Sequence, residues 1–137
     1  MTVLVDTNVL LDVTGRDPVW KEWSLATMER LRVSGRLIVN PVVYAELSVD
    51  FSRIEEVDAA LAAMDIALAE MPRDALFMAG KAFRQYRQRG GGRSGVLPDF
   101  FIGAHAAVLG VPLLTRDAGR YRTYFPKLEL IVPAAGR

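Results

Sequence analysis

Two short apolar runs rich in β-branched residues, Val3-Leu4-Val5 and Leu37-Ile38-Val39, constrain this chain more than any other feature. They lack the polar alternation of a half-exposed strand, so they fit strands covered on both faces, as in a parallel sheet layered between helices. Val111 to Thr115 and Leu128 to Val132 read the same way, and Ile66 to Met71 is a weaker candidate. Four or five strands are therefore expected.

Helical signals fall between these runs. Asp17 before Pro18 reads as a cap followed by proline at the first helical position, after which Trp20, Trp23, Thr27 and Leu31 share a face. Ser52-Arg53-Ile54-Glu55 has the pattern of a capping box. A further helix is expected from about Asp74 to Arg89, with Leu76, Ala79, Gly80 and Phe83 turned inward, ending at the glycines that follow. Another opens at Pro98 and closes at Gly110. Strands alternating with such helices imply right-handed βαβ crossovers, hence a three-layer α/β/α sandwich around a mostly parallel four- or five-stranded sheet. With 137 residues, 51% of them hydrophobic, residues 1–137 are expected to form one domain.

Composition narrows the chemistry. There is no cysteine and one histidine, His105, which excludes a disulfide framework and the usual Cys/His zinc site, so a metal would have to sit on oxygen. The first residues carry no basic segment, and Asp6 interrupts their apolar run. Neither a secretory signal nor a membrane anchor is expected, and the location expected is cytoplasmic. The net charge of +1 is uninformative, but its distribution is uneven. Lys81, Arg84, Arg87, Arg89 and Arg93 follow one another with no acid between them, whereas Glu55, Glu56, Asp58, Asp65 and Glu70 form an acidic stretch without a cation.

The acids fall at telling places. Asp6 ends the first strand and Asp117 lies just past a later one; in open parallel sheets, ligands bind beyond the carboxyl ends of strands. Glu46 sits in the helix opened by Pro41, and Asp99 in the first turn of the helix opened by Pro98, both starting on that rim. Each also has an ordinary reading: Asp99 as a dipole-favoured acid, Asp117 as the start of a turn, Glu46 as a solvated helix residue. Asp6 is harder to dismiss, because a charge ending a buried strand needs a partner. Four converging carboxylates would repel one another unless a cation compensated, which points to Mg²⁺ or Mn²⁺ on oxygen ligands. Asn8 reads as the cap of a helix starting at Val9, with a second role in orienting Asp6, and Thr115 as a support for Asp117.

Taken in order, Asp6-Thr7-Asn8-Val9 after a first strand, Glu46 in a helix, Asp99-Phe100-Phe101-Ile102-Gly103-Ala104 and Thr115-Arg116-Asp117 resemble the PIN domain, and within it the VapC toxins of toxin–antitoxin pairs. The resemblance spans nearly the whole chain. It implies a strand order of 3-2-1-4-5, a homodimer, an antitoxin protein as partner, and metal-dependent hydrolysis of RNA. On that resemblance Asp6, Glu46, Asp99 and Asp117 are the catalytic acids, with Asp6, Asp99 and Asp117 on the metal and Asn8 and Thr115 in support. Arg84, Arg87, Arg89, Arg93 and Arg116, with Lys81, Arg120 and Arg122 nearby, are candidates to guide an RNA backbone toward the acids.

Other signals carry less. Residues 90–95 satisfy G-x-G-x-x-G but follow a helix, where a dinucleotide fingerprint would follow a strand. His105 falls away from the acid face and reads as a packing or surface residue, and no nucleophile elbow accompanies it. Trp20 and Trp23 read as core or groove residues, suited to a protein contact if partly exposed. Two other functions stay open: a non-catalytic RNA- or protein-binding module, and an aspartate-dependent phosphatase, which would want an acid where Asn8 stands.

Overall fold

The computed structural model describes residues 1–15, 18–92 and 96–134. Its strands are β1 (Thr2–Val5), β2 (Arg36–Val39), β3 (Ile66–Leu68), β4 (Leu113–Leu114) and β5 (Leu130–Ile131). The helices are α1 (Thr7–Thr14), α2 (Lys21–Ser34), α3 (Pro41–Ser48), α4 (Ile54–Ala63), α5 (Arg73–Gln88), α6 (Leu97–Leu109) and α7 (Gly119–Tyr124). The strands form one parallel sheet in the order β3-β2-β1-β4-β5, with Leu4 opposite both Ile38 and Leu113.

This order has a functional consequence. The chain moves outward from β1 to β2 to β3, then returns past β1 to β4 and β5, so the direction of winding reverses between β1 and β4. Right-handed crossovers put the helices of the first two links on one face and those of the later links on the other. The segments leaving β1 and β4 therefore diverge, opening a crevice at their carboxyl ends. The strands beneath it are dry: Val3, Leu4, Val5, Val39, Leu113 and Leu114 are all buried.

Rings join the later helices. Phe100 on α6 meets Phe83 and Tyr86 on α5 at 5.7 and 5.5 Å between centres, and Tyr124 on α7 at 5.2 Å. At Gly103 a β-carbon would come within 2.6 Å of the Phe125 ring, so the missing side chain lets the α7 segment lie directly against α6.

Several local expectations need correction. The later strands are shorter than their apolar runs, because only Leu113–Leu114, Leu130–Ile131 and Ile66–Leu68 keep ladder partners. Helix α2 opens at Lys21, not at Pro18, and Asp17 lies outside the described residues. The capping carboxylate of α4 is Glu56, one residue later than expected, accepting from the backbone N–H groups of Ser52 and Arg53. On α5 the buried face is Ala75, Ala79 and Ala82, with Phe83 half-buried. Leu76 and Gly80 are exposed instead, because each lies one position along from a buried alanine, Ala75 or Ala79, and so turns off the inward stripe. Asn8 does not cap α1: the helix begins at Thr7 and Asp6 is its cap.

Candidate active site

Asp6, Glu46, Asp99 and Asp117 all line one pocket of about 220 Å³ at the carboxyl rim of the sheet, together with Thr7, Asn8, Leu11 and Tyr121. Four segments supply the acids. Asp6 ends β1 and caps α1, its Oδ1 accepting from the Thr7 N–H at 2.7 Å. Glu46 comes from α3, whose start is set by Pro41 and by the Asn40 side chain accepting from the Val43 N–H. Asp99 lies in the first turn of α6, and Asp117 follows β4.

Asp6 is the buried centre. Its Oδ2 accepts from the Thr115 hydroxyl at 2.8 Å and the Tyr121 hydroxyl at 2.9 Å, with the Asn8 amide at 3.5 Å. Burial pushes its carboxyl up from 3.8 to about 6; the Thr115 and Tyr121 hydrogen bonds oppose the shift, and the charge of Asp99 adds to it. Burial also raises Asp99, opposed by a hydrogen bond and ion pair with Arg120, while the charges of Glu46 and Asp117 raise it further. The Tyr121 phenol is pushed upward by burial and by the charges of Asp6 and Asp99, so at neutral pH it remains a proton donor. Glu46 is held by the Thr7 hydroxyl at 2.6 Å.

Asn8 and Thr115 tie the two loops together. Asn8 donates to the Thr115 hydroxyl oxygen at 3.3 Å and accepts from the Arg116 N–H at 3.2 Å, while Thr115 accepts from the Asp117 N–H at 3.1 Å. The supporting position expected for Thr115 is thus occupied through the Asp117 backbone and the Asp6 carboxylate together.

The basic residues divide. Arg84, Arg87 and Arg89 are exposed along α5, with Arg89 stacked over the Tyr124 ring at 5.4 Å. Arg93 lies outside the described residues. Arg116 does not join this exposed set: its Nε and Nη2 grip the buried Asp12 carboxylate at 2.6 and 3.0 Å, and its guanidinium lies over Trp20 at 5.1 Å. Asp12 also accepts from the Ser24 hydroxyl at 2.7 Å. His105 is fully buried, away from the pocket, and burial holds its imidazole below the usual range.

Sequence reasoning passed over Thr7, Tyr121 and Asp12. Tyr121 carried no local signal, since it lies in the short helix α7 and meets Asp6 only through the fold. Asp12 had a faint one, as a lone acid inside the apolar stripe Val9, Leu10, Val13. The donor set consists of hard oxygens, the kind that holds Mg²⁺ or Mn²⁺, and the buried, mutually repelling Asp6 and Asp99 gain from a nearby cation. Among the described residues, however, no three acidic or histidine side chains are gathered closely enough to hold one ion. The acids are turned instead toward internal donors: Thr7, Thr115, Tyr121 and Arg120.

The chain matches the family model of the PIN domain over residues 3–126. No curated protein matches it closely enough to add to that result. Among solved structures it is similar to VapBC2 from Rickettsia felis bound to a promoter DNA fragment, with a TM-score of 0.75 and 18% identity over 98% of this chain and 100% of the other. VapBC-1 from nontypeable Haemophilus influenzae aligns at a TM-score of 0.70 and 20% identity, covering 96% of this chain and 98% of that one. VapC20 from Mycobacterium tuberculosis, described as a toxin cleaving the sarcin–ricin loop, aligns at 0.57 and 15% identity over 88% and 94% of the two chains. At these identities the structural matches speak to the fold.

Proposed function

We propose, from the premise that this chain belongs to the PIN domain family, that it is a Mg²⁺- or Mn²⁺-dependent endoribonuclease acting as the toxin of a toxin–antitoxin pair. The observation that carries the reading is that four carboxylates from four separate segments line one pocket at the switch point of a parallel sheet. A divalent cation bound there would supply charge neutralisation at the phosphate and activation of a water for in-line displacement.

The chain's own residues do the rest. Asp6, Asp99 and Asp117 are the carboxylates that would hold the cation, with Glu46 facing the same pocket as a further acid for the attacking water. Thr115, Tyr121 and the Thr7 N–H keep Asp6 in one orientation, so that little reorganisation is needed when charge builds on the phosphate. The exposed Arg84, Arg87 and Arg89 offer contacts to an RNA backbone. An antitoxin partner goes with this reading by analogy with the VapBC structures, and a homodimer and a cytoplasmic location are proposed with it on the family resemblance alone. Among the described residues, no helix is long and apolar enough to cross a membrane.

The test is cleavage of end-labelled structured RNA by protein freed of any bound inhibitor, with Mg²⁺, Mn²⁺ or EDTA, beside Asp99→Asn. Cleavage that requires the metal and is lost in the variant is expected. RNA bound but left intact would favour the non-catalytic module, and phosphate-ester hydrolysis without RNA cleavage would favour the phosphatase.

A further inference from the structure

Arg120 brings a positive charge directly to one of the pocket's acids. Its Nη1 lies 2.5 Å from Asp99 Oδ2, and its guanidinium rests 5.8 Å from the centre of the Tyr86 ring. The other bonds to the pocket's carboxylates come from neutral donors: Asp6 from Thr7, Asn8, Thr115 and Tyr121, and Glu46 from Thr7. Among the described residues, Asp99 is therefore the pocket acid with a cationic partner. It is also the acid on which the charges of Glu46 and Asp117 both press.

The pair is placed to exchange. Its side chains are 31% and 29% exposed, so an ion arriving from solvent can reach it. A guanidinium and a dication repel one another, so a cation approaching Asp99 does so against the charge that Arg120 holds on Oδ2. Tyr86 gives the displaced Arg120 a resting face, since its ring is already in contact.

We infer that Arg120 is a resident counter-ion of Asp99 with which a divalent cation competes, so that this arginine weakens the pocket's hold on metal. The inference rests on the metal-dependent reading above. Its logic is linkage: whatever the ion pair contributes to the unliganded chain is subtracted from metal binding.

The experiment is a calorimetric Mn²⁺ titration, at low ionic strength and pH 7.5 or thereabouts, of the full chain and of Arg120→Gln, Arg120→Lys and Asp99→Asn, each checked for folding by circular dichroism. Arg120→Gln should bind Mn²⁺ roughly tenfold more tightly, the scale of one lost charge-assisted hydrogen bond. Arg120→Lys, which keeps the charge, should stay near the unsubstituted chain. Unchanged or weaker binding in Arg120→Gln would overturn the counter-ion role, and binding reduced in Asp99→Asn alongside it would leave the metal reading standing. No Mn²⁺ binding by any of the chains would overturn the metal reading, and the inference with it.

Discussion

Strand β4 has a pocket at each end, and the two differ in kind. Before it, where Val111 and Pro112 lead in, lies a groove of about 520 Å³ lined by Met78, Ala106, Phe125 and Leu128 among others. Beyond it, after Thr115, lies the acid-lined pocket of about 220 Å³. By size and apolar lining the groove is the more obvious ligand site. Its charged residues are Lys127 and Glu129, and no carboxylates converge there. The smaller pocket holds a carboxyl raised to about 6 by burial and a network of hydroxyl donors around it. Cavity size reports how helices and loops happen to fit, whereas clustered, desolvated acids cost folding energy and persist where chemistry needs them. On the proposed reading, the two ends of one strand differ in that acids converge at one and not at the other.

Substituting one side chain at each end of β4 should give the largest difference. Asp6→Asn should lower RNA cleavage on the order of 10³-fold while leaving the fold intact. Met78→Ala, in the groove, should leave the rate within about twofold, as is usual for changes away from such features. Equal losses in a single-turnover assay would put the chemistry at the wrong end.

Next in size is a change that tests whether the acid end is held together as a unit. Asp12→Ala strands Arg116 and Ser24, so urea unfolding should show a loss of about 3 kcal/mol, the lower end for removing one partner from a buried ion pair because Arg116 is 25% exposed. An unchanged midpoint would mean that the Asp12–Arg116 contact contributes nothing.

The raised carboxyl predicts a pH dependence with a definite sign. The Asp6 carboxyl titrates near 3.8 when unfolded and near 6 when folded, so between these values the folded chain retains a proton that the unfolded chain has lost. Stability in EDTA should therefore fall as pH rises through that window, by up to about 3 kcal/mol at 1.36 kcal/mol per unit. Asp6→Asn should remove this component, and divalent metal should offset it at pH 7. A wild-type profile no different from that of Asp6→Asn would contradict the burial argument.

The smallest effect concerns the exposed helix. Neutralising Arg87 and Arg89 together should reduce the slope of log affinity for RNA against log salt by about 1.4, taking about 0.7 per phosphate contact on single strands. An unchanged slope would remove both residues from the interface.

Much of the fold could be read from local pattern. The runs Val3–Val5 and Leu37–Val39 became β1 and β2 because a buried parallel strand has a signature that depends on its own residues. Pro41 and Pro98 marked α3 and α6 for the same reason, proline being tolerated in the first turn of a helix. Helix α7 escaped notice, since six residues rich in tyrosine and arginine carry too short a stretch for periodicity. The inward face of α5 was read correctly at Ala79 and Phe83 but not at Leu76 and Gly80, because the buried stripe runs through Ala75, Ala79 and Ala82, and which stripe faces inward depends on how the helix is turned against α6.

What the sequence determined by itself is the alternation of buried strands with helices, the α/β class, and the oxygen-only character of any metal site. It also held the order of Asp6, Glu46, Asp99 and Asp117 along the chain, though not their meeting. Only the tertiary structure decided which side chains answer those acids: Tyr121 reaches Asp6 across 115 positions, Arg116 reaches Asp12 across 104, and Arg120 reaches Asp99 across 21. The physical reason is one of range. A strand or a cap is set by neighbours within a few residues, but a buried charge takes its partner from whatever segment the sheet order brings beside it, and that choice exists only once β4 has settled against β1.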